Sequence, residues 1–202
     1  DIIGDRALGT DPMQVAALGS AVLRGLAEGG VVGVVKHIPG HGRAAADSHL
    51  ELPVVTADAD ALAVDLEPFQ RLADAPMAMT AHVVYTAFDS DRCASLSPIV
   101  IGDVIRGRIG FDGLLMSDDL GMQALSGDFG ERTRGVLAAG CDIALHCSGD
   151  MAEMEAVAAA APAAMTGVGA ARLDQAMAAA RQAPEGDFAA AVAARDRLLA
   201  VA

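Results

Sequence analysis

A chain of 202 residues and 20.4 kDa has the length of one domain, and 53% apolar residues with 3% aromatics suit an aliphatic core of Ala, Val and Leu. Fourteen Lys and Arg against 27 Asp and Glu leave a net charge of −13, which repels a phosphate backbone and argues against a nucleic-acid partner. Three cysteines without a CxxC pair suggest neither a disulfide framework nor a zinc site, and no run reaches the roughly eighteen unbroken apolar residues of a membrane span, so a soluble chain from a reducing cytoplasm is expected.

Asp11-Pro12 is a helix start, with a capping carboxylate and a proline tolerated in the first turn, and Gly29-Gly30 is a stop, so residues 12 to 28 are predicted helical. Val31 to Lys36, β-branched and bounded by glycine, predicts a strand buried on both faces, followed by a long loop to Pro53. The same unit recurs with a helix around 58 to 73, a strand from Met77 to Tyr85, a helix around 98 to 109 and a strand from Gly113 to Ser117. A helix near 128 to 139 then leads to a last strand, Cys141 to Cys147. Alternation of this kind implies a parallel sheet with right-handed crossovers, here of four βα units. Ala-rich helices close the chain after Met151, with a hinge around Pro162 to Gly169, and residues 1–202 read as a single domain.

The chemistry-bearing residues gather at predicted strand ends, where α/β folds place their sites. Alternation sends Leu114, Met116 and Asp118 to one face and Leu115, Ser117 and Asp119 to the other. If the first set lines a barrel, Asp118 is an inward carboxylate at its rim; otherwise one Asp caps the next helix and the other is solvated. In the loop, Asp47 and His49 flank Ser48 and point the same way in an extended segment. The carboxylate can therefore orient the imidazole and stabilise its charged form, as a proton donor near neutral pH requires.

Lys36 and His37 end a buried strand, where a lysine is costly unless solvated, paired or offered to a ligand. Gly40 and Gly42 lie near them, but neither GxGxxG nor the Walker pattern is present, so a nucleotide site is weakly supported. Arg6 can clamp hydroxyls or a carboxylate, or make a surface pair. His82 and His146 sit in apolar runs and read as packed or hydrogen-bonded, with His82 the better placed to meet a ligand. Cys141, Ile143, Leu145 and Cys147 share one strand face and read as core.

In order along the chain, Lys-His-Ile-Pro-Gly-His-Gly from Lys36, Asp-Ser-His-Leu-Glu-Leu-Pro from Asp47, Met-Thr-Ala-His-Val-Val-Tyr from Met79 and Phe-Asp-Gly-Leu-Leu-Met-Ser-Asp-Asp-Leu-Gly-Met from Phe111 resemble family 3 glycoside hydrolases of the β-N-acetylglucosaminidase (NagZ) type. The resemblance runs from about Ile3 to Cys147 and implies a (β/α)8 TIM-type barrel, of which about the last four βα units are present, plus C-terminal helices. It implies retaining release of β-linked N-acetylglucosamine from muropeptides in bacterial cell-wall recycling. By the same resemblance Asp118 is the nucleophile, His49 the acid/base and Asp47 its dyad partner, while Lys36, His37 and Arg6 hold the sugar. No metal or organic cofactor is implied.

A histidine in place of a second carboxylate leaves less negative charge facing an anion, so phosphorolysis is an alternative to hydrolysis, and a non-catalytic half-barrel is another. The family barrel begins with about four further units before Arg6. Without them an apolar face and open strand edges are expected, favouring self-association or pairing with an N-terminal half-barrel.

Overall fold

The computed structural model describes residues 3–48, 50–180 and 186–200. After a 3-10 turn at Gly4–Arg6, helix α1 spans Pro12–Glu28, its first turn capped by the Asp11 carboxylate, which accepts from the Gln14 amide at 2.8 Å. Strand β1 (Val34–Ile38) leads through the long loop to β2 (Val54–Val55) and α2 (Ala59–Arg71). Then come β3 (Met77–Thr80), β4 (Val84–Tyr85), β5 (Asp89–Cys93), a π-helix at Val100–Ile109 and β6 (Leu114–Met116). Helices α3 (Phe129–Ala139), α4 (Met151–Ala160), α5 (Gly167–Ala179) and α6 (Phe188–Leu199) complete the chain.

The main sheet is parallel, in the order β1-β3-β6, with Val34 opposite Met77 and Met77 opposite Leu114. Adjacent strands follow chain order, as successive right-handed βαβ units do. Gly113 is required where β6 begins, because a Cβ there would lie 2.6 Å from the Ala75 carbonyl oxygen and 2.8 Å from that of Pro76. Helix α3 has a capping box, Asp128 accepting from the Glu131 amide and Glu131 from that of Asp128, and ends at Gly140 in the left-handed region (φ 114°). The core lies between sheet and helices, with Ile38, Val83, Ile105, Phe111, Leu115, Leu120 and Val136 all buried.

Several boundaries differ from those predicted. The first strand starts at Val34 rather than Val31 and continues to Ile38, since Val31 still closes α1 by donating to the Leu26 carbonyl. It is half exposed rather than buried on both faces, because β1 is an edge of its sheet. The run Met77 to Tyr85 is not one strand: after Thr80 the chain leaves the main sheet, and β4 pairs with β2 in parallel and β5 antiparallel in a second small sheet. The helix expected around 98 to 109 is a π-helix over Val100–Ile109, with buried Val100, Val104, Ile105 and Ile109 spaced by fours and fives.

The predicted fourth strand, Cys141 to Cys147, is reduced to one parallel bridge between Met116 and Ile143. The side chains of Ser117 and Asp142 take up backbone amides there, from Leu145 and Leu115 respectively, at 3.0 Å each. Cys141 is core as expected, but Cys147 is exposed. Around the hinge, α5 already begins at Gly167, capped by Thr166. No helix among the described residues is long and apolar enough to cross a membrane.

One buried ionic knot locks the sheet to its covering helices. The Asp142 carboxylate meets Arg106 of the π-helix at 3.0 Å and Arg172 of α5 at 3.2 Å while accepting from the Leu115 amide of β6. Helix α1 leaves Met13, Leu18, Val22 and Leu26 exposed, and β1 is an edge of its sheet.

Candidate active site

The carboxyl ends of the parallel strands each deliver an ionisable side chain. His37 lies within the last two residues of β1, His82 two residues past β3, Asp118 two residues past β6, and His146 just beyond the Ile143 bridge. Asp118 is 9% exposed; its Oδ1 accepts from the Asp119 amide at 2.9 Å and its Oδ2 stands 3.6 Å from His37 Nε2.

Burial lowers the His37 pKa to about 4; Asp118 opposes the shift, while Lys36, His41 and Arg6 reinforce it. At neutral pH the imidazole is therefore uncharged. Its contact with Asp118 is polar rather than an ion pair. The peptide bonds Lys36-His37 and Ile38-Pro39 are both cis.

His41 stands edge-on to His37, ring centroids 5.6 Å apart, and its Nε2 lies 3.4 Å from Ser48 Oγ. Burial lowers its pKa too, and the charges of Asp118, Arg6 and Asp47 all reach it. Ser48 is buried and its carbonyl accepts from Ala124, so the loop carrying Asp47 is pinned to the segment that follows Asp118. The glycine turn ahead of that loop is fastened by Tyr85, whose buried hydroxyl donates to the Gly40 carbonyl.

His82 is fully buried. Its Nε2 lies 3.1 Å from the Asp119 carbonyl and must donate to it, which leaves Nδ1 to accept from Ser95 Oγ at 2.8 Å. Burial lowers its pKa, in keeping with a neutral ring that holds the turn after Asp118.

The predicted residues are therefore gathered in part. His37 and Asp118 touch; Lys36 is exposed beside them; Arg6 is exposed on its 3-10 turn with its charge reaching His37 and His41; Asp47 acts on His41. His49 lies outside the described residues. Sequence reasoning passed over His41, Ser48 and Ser95. His41 lies within the Lys36–Gly42 run, which marks it, whereas Ser95, thirteen residues from His82, carries no local pattern. No three His, Cys, Asp or Glu among the described residues are grouped so as to hold a metal ion.

Ionisable groups at the carboxyl ends of neighbouring parallel strands, around a buried carboxylate, define an α/β protein with the site layout of an enzyme. The chain matches the glycosyl hydrolase family 3 N-terminal domain over residues 1–180, and it belongs to that family. A beta-hexosaminidase of Chromobacterium violaceum is 46% identical over 155 residues, covering 73% of this chain and 42% of the relative. One from Tolumonas auensis is 42% identical over 154 residues, covering 73% and 46%.

Among solved structures, a family 3 β-N-acetylglucosaminidase from Paenibacillus sp. superposes with a TM-score of 0.80 at 32% identity over 92% of this chain and 39% of that one. NagZ from Neisseria gonorrhoeae, in complex with N-trifluoroacetyl-D-glucosamine, gives 0.76 at 37% identity over 87% and 51%. The chain thus spans less than half the length of these curated relatives.

Proposed function

We propose that the chain forms the catalytic half of a retaining β-N-acetylglucosaminidase acting on β-linked, N-acetylglucosamine-containing muropeptides in peptidoglycan recycling. The observation that carries this is the buried Asp118 carboxylate beside an uncharged His37 at adjoining strand ends, within a chain of family 3. The relatives named beta-hexosaminidase and the NagZ complex with an N-acylglucosamine support the sugar class. In this reading the parallel units are part of a (β/α)8 barrel whose other units cover the open edge of β1 and the apolar face of α1.

Asp118 attacks the anomeric carbon and forms a glycosyl-enzyme as the leaving oxygen takes a proton from His49, oriented by Asp47. The neutralised His49 then takes a proton from water, which displaces Asp118. Lys36, His37 and Arg6 hold the sugar's hydroxyls; an uncharged His37 can donate to one of them without quenching the nucleophile.

The test is turnover of a chromogenic β-N-acetylglucosaminide by the chain alone and mixed with a relative's N-terminal half. Asp118→Asn should lower the rate at least about a thousandfold. Turnover that survives this change refutes the assignment of the nucleophile; no turnover by a folded chain in either setting refutes the activity.

A further inference from the structure

Asp119, the neighbour of the candidate nucleophile, is held at four points. Its amide donates to Asp118 Oδ1 at 2.9 Å, its carbonyl accepts from His82, and its Oδ1 accepts from the amides of Gly121 and Cys147 at 3.0 Å each. Because the Asp119 amide grips the Asp118 carboxylate directly, whatever fixes Asp119 also aims Asp118.

Behind Asp119 stands an imidazole flanked by carboxylates. His146 Nδ1 is buried and 3.6 Å from Asp119 Oδ1, in electrostatic rather than hydrogen-bonding contact, and its Nε2 is 3.0 Å from Glu153 Oε2. The ring is 4% exposed at its side chain and packs edge-on against Phe129 at 4.8 Å. Ser148 Oγ lies 2.9 Å from His146 Nε2 and 2.5 Å from Glu153 Oε2. The order Ser148, His146, Asp119 is that of a hydrolase triad, but the Ser148 hydroxyl donates its hydrogen bond to Glu153, which ties Ser148 into the network as a brace. Glu153 sits in the first turn of α4, where Asp150 caps its amide and the helix N-terminus favours a carboxylate.

We propose that His146 and Glu153 are positioning residues for Asp118, linking the start of α4 through Asp119 to the reacting carboxylate. The proposal rests on the reading of Asp118 as nucleophile. It goes beyond that reading by making a C-terminal helix part of the device that aims it.

The experiment places Glu153→Gln and His146→Gln in the full chain, with Glu155→Gln, on an exposed position of α4, as control. Three quantities are read: kcat and KM on the chromogenic glycoside, and the carboxyl carbon resonance of Asp118 across pH, assigned by its loss in Asp118→Asn. Both variants are expected to lower kcat about tenfold with KM within about twofold. Both should also move the Asp118 resonance or its titration midpoint, while circular dichroism and Glu155→Gln match the wild type.

Unchanged kcat, or an Asp118 resonance unchanged in both variants, overturns the proposal. If His146→Gln does not fold, Glu153→Gln decides, since it replaces one atom of a partly exposed side chain. A folded wild-type chain without turnover refutes the glycosidase reading instead, and the resonance comparison still decides this one.

Discussion

Replacing Asp142 probes the knot that joins sheet, π-helix and α5. In Asp142→Ala the guanidinium groups of Arg106 and Arg172, 17% and 19% exposed at their side chains, lose the carboxylate between them, and the Leu115 amide loses its acceptor. Burial and the nearby Arg172 already press the Arg106 pKa down, and Asp142 opposes them, so its removal leaves two cations facing each other. Breaking a buried pair costs about 3–5 kcal/mol. Arg106 keeps the Phe111 and Gly113 carbonyls and Arg172 keeps Asp112, which favours the lower end of that range.

Asp142→Asn retains an acceptor for Leu115 and should cost about half as much. With a urea m-value of about 2–3 kcal/mol per M, a loss of about 3 kcal/mol moves the unfolding midpoint down by about 1–1.5 M at unchanged slope. A shift in Asp142→Ala below about 0.3 M would mean that the arginines rehydrate freely and that the ion cluster does not lock the helices to the sheet.

Stability should fall in mild acid. The unfolded chain takes up a proton on His37 near pH 6.5 that the folded chain refuses until about 4, so the stability present in full above 6.5 is lost as pH drops through that window. The loss is about 3 kcal/mol, and His37→Gln should flatten the slope of urea midpoint against pH, with His41 and His82 supplying the remainder; identical slopes would refute this. Thiol titration of the native chain should count one accessible cysteine, Cys147, and three after denaturation. Burial holds Cys93 at about 11 and Cys141 at about 12, while Cys147, also raised, reacts slowly; two native equivalents would contradict the packing. Asp128→Ala removes the capping box of α3 and should cost about 1 kcal/mol in thermal denaturation.

The sequence was readable where local signals coincide. Asp11-Pro12 and Gly29-Gly30 mark α1 because cap, first turn and stop agree. Met77 to Tyr85 misled because a continuous apolar run has no period to show where the chain departs for another sheet; only the pairing of Val84 with Val54 and Cys93 decides it. Cys141 to Cys147 reads as a strand by alternation, yet Ser117 and Asp142 use side chains where a ladder would use backbone. Asp118 and His37 were legible as strand-end residues, while their contact was not, since it depends on the order of β1, β3 and β6. The ring of partners formed by Ser95, His82 and Asp119 spans distant segments and leaves no sequence spacing to read.

Tyr85 is the chain's single tyrosine, and there is no tryptophan. All intrinsic ultraviolet emission of the indole and phenol type therefore comes from one ring, seated where β4 meets the glycine turn beyond β1. Burial pushes its ionisation upward, so the alkaline phenolate band should stay silent while that turn is closed. The protein thus carries its own optical gauge at the turn that leads into the loop bearing Asp47, readable without a dye or an introduced label.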